Sequence, residues 1–471
     1  MAPSAPLRAR ARLTALRAST ALVGVGLAAA RAEPLPTGGQ VVSGSVGIGT
    51  PQGGTLAIRQ SSQTAIVDWQ GFSIGQGHRV DIHQPNAGAA ILNRVTGATP
   101  STIAGQLNAN GQVYLVNPNG VTITGSGQVN AADFVASSLG ITNEDFKAGR
   151  RQFRGSGASA PVTNHGAITI GRGGYAALIG GQVTNTGTIQ VPMGRVGLGS
   201  GERASGRAGE RATLDLSGDG FLQVAVPTEA KERGALVRHS GTISADGGSV
   251  TLSAAAARDM ARQAVNLSGV VEARSVSGRN GSITLSGGEG AVAVTATGRL
   301  DASGAGPEAG GRVRIGGGRL DVAGTVDVSG AAGGRARLKA GDSLALSGRV
   351  LAEGRAGRGG RVVATAPAIA TQAALIEASG ATGGGVVRLG GGRLGQGPLA
   401  RAERVSVDAA STIRAEARER GDGGDVVVWS DRATRFAGRI EARGGAGRRA
   451  ETADRRRCRA GACSTTPASR T

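Results

Sequence analysis

The sequence predicts an all-β chain wound as a single-stranded right-handed parallel β-helix (a solenoid) with a capped N-terminal part. Three observations carry this. Glycine supplies 83 of 471 residues and aromatics only 2%, so a core must be filled by Val, Ile, Leu and Ala, which suits a long, narrow interior. Short β-branched runs alternate with polar residues and are bounded by Gly, Asn or Pro. Two such units recur at the spacing of solenoid repeats. In a solenoid, alternation sends aliphatic residues inward and polar ones outward, and each strand pairs with its copies above and below. Glycine at the corners is expected to supply the positive φ of sharp bends.

Residues 1–32 read as a secretory signal. Arg8, Arg10, Arg12 and Arg17 precede an apolar run from Ala21 to Ala30, and Ala30-Arg31-Ala32 places cleavage before Glu33. The run is too short to span a bilayer, and no other segment is longer, so the mature chain is expected to have no integral membrane span. Residues 33–146 hold alternating strands such as Thr64–Trp69, His78–Ile82 and Gln112–Val116. Residues 147–234 continue in this style. Thr163–Ile170 and Thr184–Val191 both read T-N-x-G-x-I-x-[IV], a corner followed by a strand. Residues 235–447 form a repeat shaft. One unit, G-x-[VIL]-x-[AV], occurs at Gly241, Gly298, Gly324 and Gly438. The second, a Gly-Gly or Asn-Gly turn followed by a strand, occurs at Gly247, Asn280, Gly310, Gly333 and Gly423. The alanine-rich stretch Ser253–Ala264 predicts a short helix. Residues 448–471 lose the alternation, carry seven arginines and both cysteines, and read as a basic tail or the product of a frameshift near Gly447.

The formal net charge is +20, but residues 1–32 and 448–471 hold much of it. Between them arginines are interspersed with acids, and no basic stretch is interleaved with aromatics, so nucleic acid is not an expected partner. The body lacks cysteine, and the four histidines, His78, His83, His165 and His239, are scattered, so neither a disulfide framework nor a metal site is expected. There is no nucleophile motif and no acidic motif of the kind used by solenoid polysaccharide lyases. No catalytic residue, cofactor or enzymatic role is assigned. Arg420-Gly421-Asp422 is an adhesion-type tripeptide in a turn before a strand, and it is carried as a receptor candidate.

The stretch Leu35–Phe146 resembles the N-terminal two-partner secretion (haemagglutination activity) domain of the filamentous haemagglutinin family. The resemblance rests on Asn93-Arg94-Val95-Thr96-Gly97, Ser101–Gly105, Asn108-Ala109-Asn110-Gly111, Asn117-Pro118-Asn119-Gly120 after a strand, and Ala132–Ser138. It implies export to the periplasm and recognition by an outer-membrane barrel transporter, with Asn93, Asn117, Pro118, Asn119 and Gly120 as the secretion motif. The β-helix would then fold outside a Gram-negative cell, secreted or surface-displayed. The resemblance also implies an adhesin-like role toward a host-cell receptor or glycan. Asn-Pro-Asn-Gly is equally a turn-former, with Pro118 fixing φ and Asn119-Gly120 tolerating left-handed backbone, so a structural and a recognition role stay open. Alternatives are a secreted β-helix enzyme acting on polysaccharide and a truncated carrier of a contact-dependent toxin.

Overall fold

Each coil of the chain contributes three short strands in a fixed order, and each strand hydrogen-bonds in parallel register to its counterparts in the coils before and after. Ala90–Val95, Ser101–Ile103 and Gln106–Ala109 form one coil. Gln112–Val116, Val121–Ile123 and Gln128–Ala131 lie directly upon it. Repetition generates three faces, called first, second and third here in the order the chain visits them. The first runs from Thr64–Trp69 to Asp425–Trp429. With strands about 4.8 Å apart, a dozen coils make a rod of roughly 60 Å. This computed structural model describes residues 34–201, 212–214, 222–224, 235–255, 263–445 and 462–465. The secretory signal, with Ala30, Ala32 and Glu33, lies outside them. The architecture is the parallel β-helix expected, wound in the right-handed sense that parallel crossovers take.

The interior is a set of aliphatic columns. On the third face one column runs from Leu56 through Val80, Leu107, Val129, Ile168 and Ile189 to Ile440, with Val, Ile or Leu at every coil. This is how a chain with few aromatics buries a continuous core. The repeat differs from expectation in one respect: three strands recur per coil, not two. The Gly-Gly unit is the first-face strand and the G-x-[VIL] unit the third-face strand. The second-face strands, such as Ala291–Val294, lie between the two units and carry neither pattern.

Corner glycines serve two purposes: Gly173 and Gly247, between the third and first faces, take the positive φ expected, at +81° and +73°, whereas those before the third face do not. Gly187, Gly241, Gly269 and Gly348 head the third face in their coils, and none has positive φ. A Cβ on Gly187 would lie 2.1 Å from the Gly166 carbonyl oxygen, one on Gly241 2.1 Å from that of Gly187, and one on Gly348 2.0 Å from that of Gly324. The column is glycine because stacked backbones touch there, not because the chain turns left-handed.

The expected helix over Ser253–Ala264 is not present at its ends. Ser253 and Ala254 close the strand Ser249–Ala254, in register with Gly199 and Ser200, and Gln263 and Ala264 open the strand Gln263–Leu267. Ladder pairing overrides alanine's helix preference there; residues 256–262 lie outside the described residues.

Both ends of the first face carry antiparallel strands. Gln40–Ser43 pairs antiparallel with Thr64–Trp69, and Val46–Ile48 with Thr55–Gln60, so the first coil does not present open parallel edges. At the other end Ala462–Thr465, the one described part of the basic tail, pairs antiparallel with Asp425–Trp429. Among the described residues no helix is long and apolar enough to cross a membrane.

Candidate functional site

Departures from the minimal coil cluster at one corner, between the first and second faces. Residues 138–160 and 390–403 leave the helix there, between strands of those two faces, and the described segments 212–214 and 222–224 fall in the chain between Arg195–Ser200 and Val237–His239. The same corner holds Asn117–Gly120 and, one coil earlier, Thr96–Pro100.

Asn117-Pro118-Asn119-Gly120 links Gln112–Val116 to Val121–Ile123 as a tight turn, closed by Gly120 N–H donating to the Asn117 carbonyl at 2.9 Å. Asn117 is fully buried. Its side-chain Oδ1 accepts from the Asn119 backbone N–H (2.9 Å), and its Nδ2 donates to the Thr99 carbonyl and to Ser101 Oγ, both at 3.0 Å. Asn119 Nδ2 donates to the Gly97 carbonyl at 2.8 Å. The turn is therefore riveted to the one beneath it by two asparagine amides. Of the motif only Gly120 takes positive φ, +103°, and a Cβ there would also meet the Pro161 carbonyl at 2.9 Å. The left-handed freedom expected of Asn119 is not used. Pro118 and Asn119 are exposed, as are Ala98, Thr99 and Pro100 below them.

Asn93 and Arg94 point to opposite sides of the first face. Asn93 is buried in the interior, where its Oδ1 accepts from Trp69 Nε1 at 3.1 Å. Arg94 points outward and grips Asp68 with Nε and Nη2, both at 2.9 Å, while Nη1 donates to Asn143 Oδ1 at 2.8 Å. Asn143 opens the short helix Asn143–Lys147 of the 138–160 excursion, so Arg94 ties that excursion to the body. The Asn108–Gly111 stretch lies at a different corner, between the third and first faces, where Asn110 exchanges two hydrogen bonds with the Gln84 backbone.

The excursion explains why early coils break the inward-apolar, outward-polar rule. One outward column of the first face reads Ile66, Leu92, Tyr114, Val135, Ala177, then Gly197, Thr251, Thr284, Arg314 and Arg337. The first five are covered by Leu139, Ile141, Phe146, Phe153 and Leu222, which form a second apolar cluster outside the helix. Gln152–Phe153 is extended into a small sheet by Ala212–Leu214 and Leu222–Gln223. Ser137 and Ser138 hold the base of the excursion, Ser138 Oγ donating to the Ala160 carbonyl at 2.6 Å.

Beneath this cover lies a polar network that sequence reasoning missed. Arg151, itself buried, donates from Nε to Tyr114 Oη at 2.7 Å, and its guanidinium lies over the Tyr114 and Phe146 rings. Tyr114 and Tyr175 share a short hydroxyl–hydroxyl bond. Asp133 Oδ1 accepts from the Tyr175 backbone N–H, and burial pushes its carboxyl up to about 6. A second missed feature lies inside the helix. Asn164 Nδ2 donates to Asn185 Oδ1 (2.7 Å), Asn185 Nδ2 to His239 Nδ1 (3.0 Å), and His239 Nε2 to the Val270 carbonyl (3.1 Å). All three side chains are fully buried. The signal was present, because Arg238-His239-Ser240-Gly241 aligns with the two T-N-x-G copies, but Asn-x-Gly reads first as a turn.

Of the remaining candidates, His83 is exposed at the end of the strand Arg79–His83, and His78 sits in the turn before it. Among the described residues no group of His, Cys, Asp or Glu is arranged to hold a metal. Carboxylates far apart in sequence do stack on the third face, where Glu272, Asp301 and Asp327 occupy successive coils. Neighbouring arginines take up two of the three: Arg299 pairs with Asp301 at 2.8 Å, and Arg274 lies 3.6 Å from Glu272. Arg420, Gly421 and Asp422 are exposed in the turn before Asp425–Trp429.

The arrangement defines a class: a capped parallel β-helix whose early coils carry an extra-helical cover and a stacked asparagine corner. The family model for the TPS secretion domain, the two-partner secretion domain, matches residues 32–302, and the chain belongs to that family. It is 34% identical over 264 residues to a heme/hemopexin-binding protein of Haemophilus influenzae strain Rd, and 33% identical over 277 residues to another from that species. These matches cover 55% of this chain but only 28% and 29% of those proteins. The crystal structure of the HMW1 secretion domain from Haemophilus influenzae superposes with a TM-score of 0.53 at 26% identity, covering 87% of this chain and 91% of that one.

Proposed function

We propose that this chain is the substrate of a two-partner secretion system, and that the corner built by Thr96–Pro100 and Asn117–Gly120 is where its outer-membrane barrel transporter recognises it. The family membership supports the route. The observation that carries the site is the division of labour within the motif. Asn93 and Asn117 are buried and fix geometry, while Pro118 and Asn119, with Thr99 and Pro100, face solvent on adjacent coils. In this reading 1–32 is the export signal, 33–146 carries the recognition motif, 147–234 continues the secretion domain and 235–447 is the shaft. The family match runs on to residue 302. The folded product is secreted or displayed at the surface of a Gram-negative cell, where it acts as an adhesin toward a receptor or glycan, and Arg420-Gly421-Asp422 is an accessible candidate for that contact.

The test is export of the full chain from cells carrying its cognate outer-membrane barrel transporter. Pro118→Ala/Asn119→Ala is expected to lose export while costing no more stability than the roughly 1–2 kcal/mol of the two hydrogen bonds that Asn119 Nδ2 donates, to the Gly97 carbonyl and Asn117 Oδ1. Asn117→Ala, which strips a buried turn of several bonds, is expected to lose stability and export together. Wild-type export of the Pro118→Ala/Asn119→Ala chain would remove the recognition role from this corner.

A further inference from the structure

The two ends of the rod are finished differently. At the N-terminal end, antiparallel strands lie on the first and third faces. At the C-terminal end one lies on the first face, where Ala462–Thr465 pairs with Asp425–Trp429. The last strands of the other two faces, Ala433–Phe436 and Arg439–Glu441, pair on one side with Arg404–Val407 and Thr412–Arg414. Among the described residues no strand takes their outer edges. The core shows the same asymmetry. Val428, on the covered face, is fully buried, whereas Phe436 and Ile440, which end the columns of the second and third faces, are only partly buried. Open strand edges with apolar ends are sites of strand addition.

Charge indicates what adds there. An edge guarded against its own copy carries charge of one sign, because like charges directly opposite repel. Arg439-Ile440-Glu441 alternates instead, with Ile440 against the core and the two charges outward. Reversed and laid against itself about Ile440, this strand sets each Arg439 opposite Glu441 of the second copy. Within one copy the Arg439 side chain is 72% exposed and stands 3.6 Å from Glu441, so its guanidinium can turn to a closer carboxylate.

The layers also match. A twofold axis between the two Ile440 residues, perpendicular to the rod, places the first face of one copy against the second face of the other. In an evenly rising coil, Ala433–Phe436 and Arg439–Glu441 lie about one third and about two thirds of a strand spacing beyond Asp425–Trp429, the spacing being about 4.8 Å. With the two Arg439–Glu441 strands one spacing apart, about two spacings separate Asp425–Trp429 from Ala433–Phe436 of the second copy, which leaves room for one strand. Ala462–Thr465 occupies that layer. Because it runs antiparallel to Asp425–Trp429, it is parallel to the strand it would meet. We propose that the C-terminal end of the rod binds a second copy of this chain, end to end about a twofold axis, as a closed dimer. The proposal goes beyond the export reading and does not depend on it.

The test is sedimentation equilibrium of the purified full-length chain, with a reductant present so that Cys458 and Cys463 cannot link chains. Wild type is expected to reach twice the chain mass of 46.5 kDa and to dissociate on dilution. Arg439→Glu and Glu441→Arg are each expected to weaken self-association about tenfold or more. An equimolar mixture of the two variants is expected to restore it, because in the mixed pair every cation again faces a carboxylate. Thermal melts separate lost pairing from lost folding. Arg439→Glu, at an exposed position, is expected to stay folded, and it decides the case alone if Glu441→Arg, which sets a second cation beside Arg414, does not fold. A wild type that stays monomeric across roughly 1–100 μM, wild-type association in Arg439→Glu, or two folded variants whose mixture remains monomeric would each overturn the assignment.

Discussion

Asn164, Asn185 and His239 occupy three consecutive inward positions of the second face, where Ile123 precedes them and Leu267 follows. Each amide passes a hydrogen bond to the next, so the polar insertion is satisfied along the rod axis, where stacked copies are always within reach. The direction of donation fixes His239 as a neutral imidazole that accepts at Nδ1 and donates at Nε2. Burial holds its pKa below the ordinary value. The sign of the pH effect follows. Below about pH 6.5 an unfolded histidine takes up a proton that the folded ladder refuses, so stability falls as pH drops through that value and levels off once the folded imidazole titrates. Above it His239 contributes no slope. His239→Asn preserves an acceptor for Asn185 and should remove this part of the pH dependence, measured as the difference in unfolding free energy between variant and wild type from pH 7.5 to 4.5. Equal slopes in the two proteins would contradict the neutral ladder. Asp133 acts in the opposite sense: raised to about 6, its carboxyl favours the folded state as pH falls below that value.

At the scale of elements, the third-face corner shows why alternation alone identified the strands but not the reason for their boundaries. The pattern of Thr242–Ser244, Arg299–Asp301 and Thr325–Asp327 was legible as a repeated unit, because period two and a leading glycine are both properties of the sequence. That the glycine answers to a neighbour's carbonyl oxygen was not, because the contact joins residues one coil apart. Gly241→Ala is accordingly expected to destabilise more than Gly306→Ala. The first forces a Cβ to 2.1 Å from a backbone oxygen, whereas the second meets open space and bears only the strain of a φ of +55°, about 1–2 kcal/mol. Thermal melts of the two variants give the order, and a Gly241→Ala protein as stable as Gly306→Ala would refute the close-contact account. The extra-helical cover was illegible for the same reason. Ile66, Leu92, Tyr114 and Val135 each look like ordinary strand residues, and only their register reveals an outward apolar column that requires a lid.

The whole molecule joins a strongly specified beginning to a simpler continuation. The early coils carry antiparallel caps, a cover pinned by Arg94 and Arg151, and an asparagine corner; the later ones are aliphatic columns with glycine corners, departing from that plan at 390–403 and at the antiparallel strand Ala462–Thr465. Fold class and family were legible in the sequence, because repeats and the Asn117–Gly120 motif are local. The split of that motif into buried braces and exposed residues was not, since Asn93 and Asn117 read as surface polar residues until the coils are stacked. The acidic column Glu272–Asp301–Asp327 was hidden likewise by spacings of a full coil. The most direct test of the account is secretion of the full chain with and without its cognate outer-membrane barrel transporter. The account predicts protease-resistant, β-rich protein outside the cell only when the barrel is present, with the chain held in the periplasm otherwise. Equal appearance outside the cell in the absence of the barrel would contradict it.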